Sequence, residues 1–230
     1  MEIKIDQGSD TPTVRADITI VIDVIRAFTV AHYAFLQGAK RIFLAETVEQ
    51  AILIKKANPT YLLAGEIDGL AIKGFDLENS PYRIQQTDLS GKTLVLKTTN
   101  GVRGALRSLS SDHIFVTGLT NARKTADFIR ENMTNEKETL VQIMATHPSG
   151  DDDLACAEYI KNRIEDTNLV SEADVIERVK KSHVAEKFFD TSNDAFIVED
   201  IFYCIKRLHS DFVMKVSKTG EIPMIVRVYV

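Results

Sequence analysis

Short runs of apolar, mostly β-branched residues alternate with longer amphipathic segments through most of the chain. The runs are apolar throughout, which is typical of strands buried on both faces of a parallel sheet. Strands are predicted at Ile18–Ile22, Arg41–Leu44, Tyr61–Leu63, Thr93–Leu96, His113–Val116 and Leu140–Met144. Helices are predicted at Ala27–Gln37, Val48–Lys56, Gly101–Leu109, Asn121–Asn132 and Asp153–Ile164. This alternation predicts an α/β protein with largely parallel sheets covered by helices.

Residues that typically begin or end helices and loops refine the predicted element boundaries. Gly38 is the expected stop of the first helix, and Thr47 is the expected N-cap of the second. Gly65–Gln86 has no convincing period and predicts a long ordered loop. Asn132–Thr139 predicts a surface turn or lobe boundary, which divides the chain into an N-terminal α/β lobe (residues 1–132) and a C-terminal α/β lobe (residues 133–230). The second lobe is predicted to continue with mainly helical Val170–Phe189 and Asp194–Leu208 and to close with strands at Asp211–Ser217 and Ile222–Val230.

Composition narrows the function classes. The 230 residues, with 44% hydrophobic and 27% charged content, are those of an ordinary globular protein. A net charge of -5 argues against nucleic acid as the main partner. No secretory signal is visible, and no apolar run approaches the ~20 residues of a membrane span, so no membrane partner is expected. Cys156 and Cys204 match no metal or redox motif and predict reduced core thiols of a cytoplasmic protein. A homodimer is left open.

Polar residues follow four of the predicted strands, where ligands bind in open α/β sheets. Asp23 ends the first apolar run, and its ionised carboxylate needs water, a metal or a cation. Asp23 is either a ligand for Mg²⁺, or the N-cap of the following helix, or the ion-pair partner of Arg26. Arg26 in turn either binds an oxyanion bidentately or braces Asp23.

Three further clusters carry similar alternatives. Thr98-Thr99-Asn100-Gly101 is typical of an anion-binding nest, and equally of a helix N-cap. Glu66 brings a second carboxylate; if it meets Asp23, one of the two is expected to hold metal and the other to orient water. Asp151-Asp152-Asp153 suits a helix N-terminus through the helix dipole alone, or a cation in a cleft. His147 lies beside these aspartates and is a weaker candidate for the site.

The combined motifs resemble those of the 2-phosphosulfolactate phosphatases over nearly the full length. The resemblance implies a two-lobed α/β enzyme with its site in the cleft between the lobes. It also implies a Mg²⁺-dependent acid phosphatase that releases phosphate to give 3-sulfolactate on a route to coenzyme M. The matching segments are Ala16–Ile18, Val21–Ala27, Gln37–Lys40, Leu63–Glu66, Gly74–Leu77, Asn79–Pro81, Thr98–Gly101, Asn121–Ala122, Asp152–Ala157 and Asp200–Cys204.

The resemblance assigns roles to these residues. Asp23 and Asp152 are expected to hold Mg²⁺, and Glu66 or Asp153 to act as general base or acid. Asp23 itself counts among the expected catalytic residues. A small anionic phosphorylated substrate is the expected partner, bound by Arg26, Thr98, Thr99, Asn100 and Gly101.

Two departures from the family pattern open an alternative. Family members usually have arginine where this chain has Ile67. They also carry a glycine-rich stretch with an arginine where this chain reads Ala145-Thr146-His147-Pro148-Ser149-Gly150. Loss of charge-assisted contacts worth ~1.5–3 kcal/mol each would alter the substrate or abolish turnover. The alternative is therefore a catalytically impaired relative that acts as a small-anion binding or regulatory protein.

Overall fold

The computed structural model describes residues 1–10, 15–133, 138–167 and 169–230. Its strands are β1 Glu2–Gln7, β2 Ile18–Ile22, β3 Arg41–Leu44, β4 Leu62–Ile67, β5 Leu70–Ala71, β6 Leu77–Glu78, β7 Thr93–Lys97, β8 His113–Thr117, β9 Leu140–Ala145, β10 Phe212–Ser217 and β11 Met224–Tyr229. Its helices are α1 Ala27–Leu36, α2 Val48–Ala57, α3 Pro81–Gln85, α4 Gly101–Arg107, α5 Leu119–Asn132, α6 Asp151–Ile164, α7 Glu172–Lys181, α8 His183–Phe189 and α9 Val198–Cys204. Every predicted strand is present, and β1, β5 and β6 are added to them.

The strands pair into an eleven-stranded sheet in the order β1-β9-β2-β8-β10-β11-β3-β7-β4-β5, with β6 beside β4. Most neighbours are parallel, including β1 with β9, β2 with both β8 and β9, and β7 with both β3 and β4. Together with the flanking helices, this confirms the α/β class and the largely parallel sheet. The division into lobes 1–132 and 133–230 stays a prediction. Strand β9, from the second predicted lobe, lies between β1 and β2 of the first.

Two parallel groups of strands run in opposite directions within this sheet. Three antiparallel ladders in succession, β8–β10, β10–β11 and β11–β3, separate the β2 group from the β4 group. In a flat sheet their carboxyl ends would therefore lie at opposite edges. Neighbouring strands rotate by about 20–25°, so the path from β2 to β4 accumulates roughly 120–150° of twist. Twist thus turns the carboxyl ends of both groups toward one region.

Apolar side chains pack on both faces of the sheet. From β2, Ile20 and Ile22 pack with residues of α5 and α6, whereas Val21 belongs to the cluster that contains α1 and α4. This second cluster also includes Ile42 of β3 and Leu94 of β7. Nine of the ten residues of α1 are buried. The two halves of the sheet therefore share one core, which holds the ends of β2 and β7 close together.

Several element boundaries differ from the sequence prediction. Gly65–Gln86 is not a plain loop, because it contains the end of β4, the short strands β5 and β6, and α3. The predicted helix Val170–Phe189 is two helices separated at Ser182, and only Val198–Cys204 is helical within Asp194–Leu208. Part of the predicted boundary Asn132–Thr139, residues 134–137, lies outside the described residues.

Local signals at helix ends are confirmed. The hydroxyl of Thr47 accepts a hydrogen bond from the N–H of Gln50 at 3.1 Å and caps α2. Gly38 has a φ of +91° just after α1, a conformation that glycine adopts without strain. Cys156 and Cys204 are buried free thiols, as predicted. The described helices include none with the length and apolar character needed to cross a membrane.

Candidate active site

A cleft of about 180 Å³ opens where the carboxyl ends of β2, β4, β7 and β9 meet the helix α8. Carboxylates, cations and amides share its wall, and its position at four strand ends distinguishes it from the larger pocket of about 410 Å³ beside α5. The lining residues are Asp23, Ile25, Arg26, Glu66, Asp68, Gly69, Asn79, Thr99, Asn100, His147, Val184, Lys187 and Phe188.

Asp23 directly follows the fully buried strand β2 and is itself only 6% exposed. Its Oδ1 accepts a hydrogen bond from the N–H of Ala27 at 2.8 Å, which ties it to the start of α1. Burial, with the nearby charges of Glu66 and Asp152, raises the pKa of Asp23 to about 7. Asp23 is thus a buried carboxylate with no ion-pair partner among the described residues, in a cleft open to ligands.

Glu66 is the penultimate residue of β4 and joins β4 to the turn after β7. Its Oε1 accepts the N–H of Thr99 at 2.5 Å, and its Oε2 accepts the N–H of Gly69 at 2.5 Å and the hydroxyl of Thr99 at 3.0 Å. Because side chains alternate along a strand, the next residue, Ile67, faces away and is 43% exposed. Ile67, at the position where the family pattern has arginine, therefore does not line the cleft.

The Thr98–Gly101 segment divides into two parts. Thr99 and Asn100 line the cleft, whereas the hydroxyl of Thr98 accepts the N–H of Val102 at 3.0 Å and so holds the first turn of α4. A Cβ on Gly101 would lie 2.6 Å from Oδ2 of Asp23, so only glycine permits this close approach. Thr98 therefore stabilises the helix start, and the role of the segment in anion binding stays a prediction.

The three aspartates form the first turn of α6, which begins two residues earlier than predicted. Asp153 accepts the N–H of Val24 at 2.7 Å, the N–H of His147 at 2.9 Å and the hydroxyl of Thr146 at 3.1 Å. It thereby ties the end of β9 to the residue after Asp23. Burial and the charges of its carboxylate neighbours raise its pKa well above the usual value.

The other two aspartates have separate partners. Asp152 is 1% exposed and accepts the hydroxyl of Ser182 at 2.9 Å. Burial raises the pKa of Asp152 as well. Asp151 pairs with Arg178 at 2.5 Å, away from the cleft. Neither Asp152 nor Asp153 lines the cleft, although the charge of Asp152 acts on Asp23 from behind it.

Arg26 lines the cleft but does not brace Asp23. Its guanidinium donates to Oδ2 of Asp200 at 2.7 Å and to the carbonyl of Gly69 at 2.7 Å. Asp200 is fully buried and also accepts the hydroxyl of Ser80 at 2.6 Å. Arg26 further lies 4.9 Å from the ring centroid of Phe188. Sequence reasoning missed Asp200, because its partner lies 174 residues away in the chain.

Two more cleft residues bring nitrogen donors. His147 accepts the N–H of Ser149 at Nδ1 over 3.3 Å, and burial lowers its pKa, so the neutral ring carries its proton on Nε2. Lys187 of α8 lies 4.5 Å from the ring centroid of Phe196. The sequence did not indicate Lys187, because a lysine that reaches a cleft has the same sequence pattern as a lysine on the exposed face of a helix.

The oxygen atoms in the cleft fit Mg²⁺. Among the described residues, no group of three or more Asp, Glu, His or Cys side chains could hold a metal ion. Mg²⁺ does not need such a cage, because it keeps several waters and binds one or two carboxylates with substrate phosphate. Asp23 supplies a carboxylate, and Oδ1 of Asn79 is buried with no hydrogen-bond partner in the described part of the chain. These hard oxygens suit Mg²⁺ better than a thiolate-seeking metal.

A mostly parallel sheet, a buried carboxylate at a strand end and a small cleft of mixed charge define an α/β protein with a ligand-binding cleft at the carboxyl ends of its strands. The family model described as 2-phosphosulpholactate phosphatase matches residues 5–219. The chain therefore belongs to the 2-phosphosulfolactate phosphatase family, as the sequence motifs predict.

Curated relatives support this membership over the full length. A protein of Bacillus subtilis (strain 168), named as a probable 2-phosphosulfolactate phosphatase, is 53% identical over 230 residues, 100% of each chain. A protein of Clostridium beijerinckii with the same name is 30% identical over 225 residues, 91% of this chain and 92% of that relative. One from Caldicellulosiruptor saccharolyticus is 35% identical over 143 residues, 61% of this chain and 59% of that relative.

Proposed function

We propose that this chain is a Mg²⁺-dependent phosphatase that hydrolyses 2-phosphosulfolactate to 3-sulfolactate and inorganic phosphate. The observation that carries the proposal is Asp23, a buried carboxylate with a pKa of about 7 at the wall of a small cleft. Such a carboxylate is costly unless a cation or proton accompanies it. The names of the full-length relatives supply the substrate.

Asp23 would hold the metal, and the buried charge of Asp152 behind it would increase the attraction for a cation. Bound there, Mg²⁺ would polarise the phosphoryl oxygens and lower the pKa of a bound water. The close fit between Gly101 and Asp23 fixes where this carboxylate lies relative to α4. Asp23 thus combines a metal-binding role with a fixed position at the start of α1.

The phosphoryl oxygens are bound by donors of Arg26 and Asn100, which line the cleft after β2 and β7. Arg26 retains N–H groups beyond those used by Asp200 and Gly69, and the amide of Asn100 does not cap its own helix. These two residues stabilise the charge of the transferring phosphoryl group. Thr98, Thr99 and Gly101 shape the same turn and act by holding it in place.

Proton transfer falls to groups that line the cleft. Glu66 keeps a free lone pair on Oε1, which accepts only the N–H of Thr99, so Glu66 is the general base or acid. Asp153 uses its oxygens to hold Val24 and His147 and is a positioning residue. His147 presents its Nε2–H as a hydrogen-bond donor to the substrate.

Phosphate release from 2-phosphosulfolactate, with Mg²⁺ and with chelator, tests the proposal. We expect Mg²⁺-dependent turnover that Asp23→Asn lowers at least about a hundredfold, since even outer-shell partners of a metal contribute 10–100-fold. Asp211→Asn, a change of the same type at an exposed position outside the cleft, is the control. Thermal stabilisation by 2-phosphosulfolactate without any turnover would instead identify an anion-binding relative.

A further inference from the structure

Acidic and basic side chains occupy different parts of the cleft wall. Asp23 and Glu66 approach from strand ends, while Arg26 and Lys187 lie on a floor of two aromatic rings, Phe188 and Phe196. Arg26 lies 4.9 Å from the Phe188 centroid and Lys187 lies 4.5 Å from that of Phe196. The rings themselves are 5.1 Å apart and nearly perpendicular. Two cations therefore share one floor.

Only one of these cations has a counter-ion. Arg26 is paired with Asp200 at 2.7 Å. The ammonium group of Lys187 makes no hydrogen bond or ion pair to any residue within the described ranges, although it is half-buried. Burial and the charge of Arg26 lower the pKa of Lys187. A partly desolvated ammonium beside a second cation is unfavourable, and an anion in the cleft would offset both costs.

We infer that Lys187, on the floor that it shares with Arg26, binds the acid group of the substrate, a carboxylate or sulfonate distinct from the phosphate ester. This inference rests on the proposed function. An acid group is repelled by Asp23 and Glu66. Its favourable position is beside the unpaired ammonium of Lys187, so the cleft selects phosphate esters that carry a second anionic group.

Substrate series with and without acid groups test this assignment. The probes are 2-phosphosulfolactate with a carboxylate and a sulfonate, 2-phospholactate with a carboxylate, and glycerol 2-phosphate with neither. For Lys187→Gln we expect kcat/KM for the acid-bearing esters, relative to glycerol 2-phosphate, to fall about ten- to hundredfold, mainly through KM. Lys187→Arg should restore part of the loss. An equal loss on all three esters, or none, would overturn the inference.

The variants separate binding from folding. Lys187→Met keeps the alkyl chain that packs beside Phe196 and removes the charge, so it should reproduce the selectivity loss of Lys187→Gln. Lys181→Gln, on the exposed end of α7, removes the same charge outside the cleft and is the matched control. A loss confined to 2-phosphosulfolactate assigns the sulfonate to Lys187, and an equal loss on 2-phospholactate assigns the carboxylate.

Calorimetry with 3-sulfolactate, which lacks the phosphate, gives a readout that needs no turnover. We expect Kd to rise at least about tenfold in Lys187→Gln and to stay at the wild-type value in Lys181→Gln. Wild-type binding of 3-sulfolactate without hydrolysis of any ester would refute the proposed function and leave the Lys187 site standing. Equal Kd values for wild type and Lys187→Gln would refute the Lys187 site alone.

Discussion

Replacing Asp23 by asparagine should stabilise the metal-free protein while abolishing its Mg²⁺ response. The substitution keeps an oxygen that can accept the N–H of Ala27, which the wild-type Oδ1 accepts at 2.8 Å. It removes a buried negative charge that Glu66 and Asp152 repel. The protein therefore maintains a destabilising carboxylate at the point where the proposed activity requires one.

The size of this effect follows from the pKa shift of Asp23. Its pKa rises from 3.8 to about 7 on folding, first because of burial and then because of Glu66 and Asp152. Between these values the unfolded chain has lost the proton that the folded protein retains. Wild-type stability therefore falls as pH rises from about 4 to 7, by about 4 kcal/mol at 1.36 kcal/mol per pKa unit. The asparagine variant does not have this loss.

Urea denaturation in chelator at pH 4.5, 6 and 8 measures the difference. The stability of Asp23→Asn relative to wild type should grow with pH and level off above about pH 7. Asp211→Asn, at an exposed position, is the control and should show no comparable growth. Added Mg²⁺ should raise the midpoint of wild type at pH 8 and leave that of Asp23→Asn unmoved.

Two results would refute this reasoning. A relative stability of Asp23→Asn that is the same at pH 4.5 and pH 8 would mean that the carboxylate is not desolvated in the folded state. A variant less stable than wild type in chelator at pH 8 would mean that the charge of Asp23 has a favourable partner. Either result would also remove the main support for a metal at this position.

Three further substitutions address neighbouring features. Gly101→Ala adds a Cβ 2.6 Å from Oδ2 of Asp23, so we expect Mg²⁺ affinity in calorimetry to fall at least about tenfold, with helical circular dichroism retained. Asp200→Ala leaves the buried guanidinium of Arg26 unpaired and should cost about 3–5 kcal/mol in urea denaturation; a loss below 1 kcal/mol would contradict a buried pair. Asp153→Ala leaves three donors unpaired and should lower the free energy of unfolding by roughly 3 kcal/mol or more in urea denaturation; an unchanged midpoint would contradict this role.

The strands and several candidate residues could be predicted because their signals are local. A fully apolar run such as Ile18–Ile22 has no polar face to expose, so it forms a strand within a covered sheet. Asp23 and Glu66 stand out because each carboxylate interrupts such a run at its end. Arg26, predicted to bind substrate, lines the cleft, whereas its counter-ion, Asp200, lies in a segment that matches the family but was given no role.

Other features depend on contacts between distant segments. The sequence predicts Asp153 as catalytic and Asp152 as a metal ligand, and these roles stay predictions, since neither residue lines the cleft. Asp153 accepts hydrogen bonds from Thr146 and His147 in the loop before its own helix, and from Val24, which only the packing of β9 beside β2 brings to it. Lys187 becomes distinctive only when α8 lies against the aromatic ring of Phe196.

By itself, the chain's pattern of apolar runs and polar strand ends determined the α/β class and most of the groups that form the cleft. These properties depend on residues a few positions apart, whose burial and backbone preferences act locally. Tertiary structure decided that the ends of β2 and β4 meet at all. Their two parallel groups run in opposite directions, and the accumulated twist of the intervening antiparallel strands turns them toward each other. Twist and long-range pairing arise from the whole sheet, so no single segment encodes them.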